Sequence, residues 1–411
     1  HARGEEGRGQ AGRDGQPRRL EVIVGTSFRK QGNEPAGVQR QHCGARGKMD
    51  NCVVSVHLGY AAGDFHTLLD GDLFLPEHTW DADRSRCRAA GIPDDVVYRP
   101  KWRIALEQIQ RALSNGVRFA WLTFDEGYGG KPPFLRALDG LGQNYVGEIP
   151  ANFAGWTRPP EILYREHSRD KGQGRPRKLP RLKVRNTPAV EVRNILMHSP
   201  VLRQIPREKF HVKDGAKGPM VWEARRIPLW IKDEHGLPSR PHHLLIARNV
   251  LNPEEIKFFL SNAPESTSVE LLLLVAFSRW RIERLFEDSK TELGMDHFEV
   301  RKYISIQRHL VLTAVSHLFL AEFWLAHRDK KNGTDLVPGA DGHSVTGSGV
   351  VPWGPMLPAP GGGNRRAIDV NPGPQRGRSM LASEADTASF TQDWYILGRH
   401  KTLPMAEFLA L

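Results

Sequence analysis

Residues 117–149 read VRFAWLTFDEGYGGKPPFLRALDGLGQNYVGEI, and they decide the fold. Residues 117–124 are an apolar run of strand length, buried on both faces, with Asp125 at its carboxyl end. The glycines at 127, 129 and 130 make a turn, and the spacing predicts a helix over 132–141 and a strand over Tyr145–Ile149. Upstream, residues 21–24 (EVIV) predict a short strand followed by a turn, and residues 51–59 and 65–75 predict two more strands of an antiparallel meander. Residues 101–115 carry Ile104, Leu106, Ile109, Ala112 and Leu113 at helical spacing, with Gly116 where a helix cap belongs. Three antiparallel strands, a helix, a strand, a helix and a strand give the α/β order of a ribonuclease H-like mixed sheet flanked by helices.

Downstream, that layout is interrupted. Residues 152–263 hold strand-like runs at 189–192, 220–224, 227–231 and 243–247, which predicts a β-rich insertion before the last catalytic helix. Within it, residues 165–185 form a cationic loop, with Arg175, Arg177, Lys178 and Arg181 among Gly and Pro and only Glu166 and Asp170 in opposition. Such a loop counts phosphates rather than reading bases, or is simply a solvated loop. Residues 268–295 (SVELLLLVAFSRWRIERLFEDSKTELGM) pass from apolar to charged with no Gly or Pro until Gly294, predicting one long helix, and a second helix follows over 304–326. With Arg279 set at 0°, Glu283 falls at about 40° and Lys290 at about 20°, beside an apolar arc of Ile282, Leu285, Phe286 and Leu293. That strip of charges suits local i,i+4 pairing as well as function. The predicted organisation is therefore a Gly/Arg-rich disordered tail at 1–20, the first part of the catalytic domain at 21–151, the insertion at 152–263, the closing helices at 264–328, and a Gly/Pro-rich disordered tail at 329–411.

The 411 residues carry a net charge of +11, which favours a polyanionic partner, nucleic acid before an acidic membrane surface. Cys43, Cys52 and Cys87 make no CxxC pair, so neither a zinc ribbon nor a disulfide framework is indicated, and a reducing cytosol fits. No uninterrupted run reaches the roughly 18 apolar residues of a membrane span, and no membrane partner is expected. Asp125 at a strand end and Glu283 on a helix packed beside the sheet are oxygen ligands of the kind that hold Mg2+ or Mn2+, although an aspartate in that place is also a common helix cap.

Residues 122–150, LTFDEGYGGKPPFLRALDGLGQNYVGEIP, and 277–312, FSRWRIERLFEDSKTELGMDHFEVRKYISIQRHLVL, closely resemble the DDE transposases of bacterial insertion sequences, in particular the insertion-sequence-four-like group. The third motif of that group runs Tyr, two residues, Arg, three residues, Glu, six residues, Lys; Arg279, Glu283 and Lys290 fit the spacing, and Ala276 stands at the Tyr position. The likeness extends to residues 36–65 and 247–264, and so covers most of the chain from about Val22 to Ala326. It implies metal-dependent hydrolysis and strand transfer at transposon ends, with Asp125 and Glu283 as the second and third metal-binding acids and Arg279 and Lys290 on DNA phosphates. It implies double-stranded DNA as partner, a homodimer on that DNA, and a bacterial cytoplasmic, nucleoid-associated location. One departure is chemical. The first acid of the family falls at Val24, followed by Gly25 where the family has Glu, so one metal ligand is missing and impaired catalysis is expected. A non-catalytic DNA-binding remnant that occupies ends or inhibits active copies is the alternative. Glu126 and Glu287 are weaker substitutes for their neighbours. His297, His309 and the tryptophans at 121, 222, 230 and 280 are expected mainly to pack or face solvent.

Overall fold

The computed structural model describes residues 20–63, 65–164, 179–215 and 218–327. The expected tails, Arg175, Arg177 and Lys178 lie outside the described residues. In chain order the strands are β1 (Leu20–Arg29), β2 (Gln39–Cys43), β3 (Lys48–Ala62), β4 (Phe65–Leu73), β5 (Trp121–Phe124), β6 (Tyr145–Ile149), β7 (Ala154–Gly155), β8 (Ile162–Leu163), β9 (Arg181–Leu182), β10 (Val190–Glu191), β11 (Glu208–Gly215), β12 (Gly218–Lys232), β13 (Pro238–Asn249) and β14 (Ile256–Ser261). The helices are α1 (Arg84–Ala89), α2 (Lys101–Ser114), α3 (Glu126–Gly129), α4 (Pro132–Gly140), α5 (Val192–His198), α6 (Pro200–Gln204), α7 (Val269–Phe277), α8 (Trp280–Thr291) and α9 (Tyr303–His327).

Ten of the described strands make one sheet in the order β11-β12-β13-β14-β6-β5-β1-β3-β2, with β4 also paired to β3. Strands β4, β3 and β1 run antiparallel, and β5 and β6 continue parallel to β1, which is the ribonuclease H-like order. The sheet separates two apolar layers. Val22 and Phe28 point to the layer containing Leu272, Ile282, Leu285, Phe286 and Ile306 of α7 to α9. Ile23, between them in the pleat, points to the layer of Ile104, Ile109, Phe134 and Leu138 on α2 and α4. Helix α8 lies close enough to β3 that a Cβ on Gly59 would come within 2.0 Å of Ile282 Cδ1, so this strand position has room only for hydrogen.

Two expectations need correction, the length of the first strand and the single helix over 268–295, and the β-rich insertion proves continuous with the main sheet. Strand β1 is ten residues long, because pairing of Gly25 to Val56 and Thr26 to Ser55 holds as strand what the sequence suggests is a turn. The β-rich insertion does not stand apart: β14 pairs with β6, so four of its strands, β11 to β14, extend the main sheet. The helix over 268–295 is two helices, α7 and α8, broken at Ser278 and Arg279. There the Ser278 hydroxyl bonds the Leu274 carbonyl, and Arg281 N–H reaches Ser278 O at 3.1 Å in a tight i to i+3 turn. Serine bonding back to i−4 bends helices without any Gly or Pro.

Helix α9 lies within one residue of its expected bounds at each end. Among the described residues it is the one helix long and apolar enough to cross a membrane by length and composition, with a mean hydropathy of 1.4 over its most apolar window and 17% of that window buried. Its histidines and serines break any continuous apolar run while leaving the average high. Ile306, Leu310, Thr313 and His317 face the protein, whereas Leu312, Phe319 and Phe323 are exposed.

Candidate active site

Asp125 follows β5 directly and caps α3: its Oδ1 accepts the Gly127 N–H at 2.9 Å. Behind it, a Cβ on Gly129 would meet the Glu148 carbonyl oxygen at 1.9 Å, so only glycine lets α3 settle on β6 and fix the aspartate. Burial raises the Asp125 pKa, opposed by the Arg279 guanidinium and by the Gly127 and Tyr128 amides, with Glu148 adding to the rise. A carboxylate that is desolvated and has few donors gains from a cation.

Val24 sits beside it. The parallel pairing of β1 with β5 runs Val22 to Thr123 and Ile23 to Phe124, so the next step along both strands sets Val24 beside Asp125 on the same face of the pleat. Val24 is half-buried against the apolar layer beneath α8. Its antiparallel partner is His57, which is buried, edge-on to Phe286, and 2.7 Å from Ser55 Oγ through Nε2. Burial brings the His57 pKa down to about 4, so the ring adds no positive charge at neutral pH.

Arg279 lies at the joint between α7 and α8. Its Nη2 is 3.1 Å from Glu283 Oε1, and its charge also acts on Asp125. Arg279 is thus paired with Glu283 and contributes favourable charge at Asp125. Glu283 is in the first turn of α8 with its side chain 62% exposed, open to a ligand from solvent. Lys290 does not join that group. It lies 5.7 Å from the Phe28 ring, its pKa lowered by burial against the opposing charges of Asp296 and Cys43. The strip of three charges drawn from periodicity thus divides into an Arg279–Glu283 pair at the head of α8 and a half-buried Lys290 three turns further on.

The remaining candidates separate from this group. Arg181 is half-buried in β9, which with β8 forms a ribbon outside the large sheet. Glu126 is exposed in α3, and Glu287 forms an exposed ion pair with Arg284 at 3.3 Å. Trp121 and Trp222 are core residues, and His309 bonds the Gly294 carbonyl at 3.0 Å. Asp50 pairs with Arg29 at 3.5 Å on the far end of β1 from Asp125.

Three neighbours of Asp125 had no part in the sequence expectations. Tyr128 is buried with a hydroxyl that has no hydrogen-bond partner, and a Cβ on Gly25 would come 3.7 Å from it. Lys101, at the start of α2, has its pKa lowered by burial and raised in part by Cys52 and Asp125. Glu148 on β6 pairs with Lys257 at 2.7 Å. Lys101 and Glu148 reach Asp125 by tertiary packing, which no local spacing encodes, whereas Tyr128 lies in the turn that Asp125 caps.

Asp125 and Glu283 could each offer oxygen to a hard divalent ion. Asp125 keeps one oxygen free of its cap, Glu283 is accessible, and Mg2+ is commonly held by one or two carboxylates with waters and phosphate. Val24 supplies no oxygen, so a second ion would lack a ligand. No curated protein matches the chain. Solved structures that match include the NurA nuclease from Sulfolobus solfataricus, 11% identical over 68% of this chain and 85% of that one, with a TM-score of 0.23; a superposition so loose says nothing about the site. Residues 15–219 match the family model described as DDE superfamily endonuclease, a match that supports a DDE-type, nuclease- or transposase-like protein.

Proposed function

We propose that the chain is a transposase-derived protein of the insertion-sequence-four-like group that binds transposon-end DNA and is impaired in phosphodiester cleavage by Val24. The observation that carries this reading is the register of β1 on β5: an apolar side chain stands beside Asp125, at the point where a first acid would complete the ligand set. Asp125 and Glu283 would hold Mg2+ or Mn2+, which supplies charge neutralisation at the scissile phosphate and activation of the attacking oxygen. Arg279, freed from Glu283 when a phosphate arrives, offers a bidentate contact, and Lys290 gives a point charge. Arg175, Arg177, Lys178 and Arg181 add sequence-independent attraction to the duplex. The protein works as a homodimer on double-stranded DNA, in a bacterial cytoplasm. Val24 specifically favours a second reading, a non-catalytic remnant that occupies ends or poisons mixed oligomers.

The test is magnesium-dependent nicking of end-containing supercoiled DNA by the unmodified chain and by Val24→Asp. Loss of one group that stabilises transition-state charge costs about 100-fold to 1,000-fold in rate, so Val24→Asp is expected to gain at least about 100-fold. Robust nicking by the unmodified chain overturns the impairment. End binding with no gain in Val24→Asp favours the remnant.

A further inference from the structure

Away from Asp125, three metal-ligating side chains from three elements meet at one place: His66 on β4, Asp288 on α8 and His317 on α9, with one ligand atom from each within 4.8 Å of the others. His66 Nε2 is 3.7 Å from Asp288 Oδ2, too far for a hydrogen bond. It is near the ligand-to-ligand edge of about 3.4 Å that a tetrahedral ion with bonds of about 2.1 Å requires. The His66 and His317 rings are 5.5 Å apart, centre to centre. His317 is only 7% exposed, and its Nδ1 has no hydrogen-bond partner. A buried imidazole nitrogen left unpaired costs free energy that a metal bond would remove. The other Asp288 oxygen, Oδ1, is fixed by Arg284 Nε at 2.9 Å, the outer support that orients metal-binding carboxylates.

We propose that His66, Asp288 and His317 form a zinc site that staples α9 to β4 and α8. Two imidazoles and one carboxylate oxygen select a borderline ion such as Zn2+ over Mg2+, which prefers oxygen alone. His66 and Asp288 are about a quarter exposed, leaving an entry path and a fourth position for water. On the helical wheel Asp288 falls about 140° from Glu283, so this ion sits on a different face of α8 and does not belong to the candidate active site. The staple also answers a mechanical need. Helix α9 buries few side chains, and a metal bond at His317 anchors it midway along its length.

The experiment uses the untagged full-length chain, stripped of metal, titrated with Zn2+ against a chromophoric chelator and with Co2+ for the absorption of four-coordinate cobalt. One equivalent is expected to bind and to raise the thermal midpoint. Asp288→Asn and His66→Gln, at positions about a quarter exposed and checked for folding by circular dichroism, should each weaken Zn2+ binding by about 100-fold, and Arg284→Ala by about 10-fold. Asp125→Asn should leave it unchanged. The proposal is overturned if no equivalent binds, if binding survives both ligand variants, or if Asp125→Asn alone removes it.

Discussion

Two aspartates of the same strand-helix-strand unit, Asp125 after β5 and Asp139 on α4, show how partners divide structural carboxylates from reactive ones. Asp139 is saturated: Arg240 Nη2 at 2.7 Å and Asn262 Nδ2 at 3.0 Å bond its Oδ1, and His242 Nε2 lies 2.9 Å from its Oδ2. Although burial works to raise its pKa, hydrogen bonds from His242, Arg240 and Asn262 prevail and hold it below the usual range. Asp125 is similarly desolvated but receives only backbone donors and the charge of Arg279, and its pKa is raised. Burial is common to both. What differs is whether the protein has used up the oxygens. A carboxylate with its lone pairs spent joins elements together, and one with a free oxygen waits for a ligand.

The largest effect that would sharpen this contrast is on stability. Asp139→Ala strands a buried histidine and an arginine between α4, β13 and β14, and is expected to cost about 3 kcal/mol in urea unfolding. A cost below about 1 kcal/mol would erase the distinction. Asp125→Asn keeps the shape of the cap while removing an under-partnered charge, and at neutral pH should change stability by no more than about 1 kcal/mol, toward greater stability. The same variant should lose any divalent-dependent gain made by Val24→Asp.

Acid titration tests the contrast by sign. Asp139, with its pKa depressed on folding, contributes stability present above the unfolded carboxyl pKa and lost as pH falls through the folded value. Asp125, with its pKa raised, acts in reverse: the folded chain binds the proton first, so its contribution favours the fold in acid and is lost as pH rises through the folded value. Unfolding of Asp139→Asn and Asp125→Asn followed across the carboxyl range should therefore depart from the unmodified chain in opposite directions. Parallel curves would refute the assignment. The smallest effect belongs to Tyr128→Phe. Removing a buried hydroxyl that has no partner should shift stability by less than about 1 kcal/mol, while changing divalent-ion affinity if that hydroxyl faces the Asp125 ligand position.

The sequence made the strand-helix-strand unit readable because its elements are local: Tyr145–Ile149 has the bounds expected of it, and α4 differs by one residue at its end. It shortened β1 because Gly25, Thr26 and Ser27 have turn chemistry, and only the distant β3 makes them strand. It joined α7 to α8 because periodicity reports apolar faces and is blind to a serine hydroxyl competing for a carbonyl. At the site, the assignment of Asp125 and Glu283 and the substitution at Val24 came from the resemblance to DDE transposases, with motif spacing supporting Glu283. The division of Lys290 from Arg279, the roles of Glu148 and Lys101, and the meeting of His66, Asp288 and His317 depend on which faces the sheet brings together, information that no window of sequence contains.

The pairing of β14 with β6 has a consequence for how the chain is made. Lys257 and Glu148, bonded across those strands at 2.7 Å, are 109 residues apart. At ribosomal rates of about 5 to 20 residues per second, β6 emerges on the order of ten seconds before the strand that covers it. Through that interval its edge, an apolar parallel strand with unsatisfied amides, is a template for any other nascent copy. The yield of soluble protein should thus be set less by the stability of the finished sheet than by the time spent waiting for residue 256.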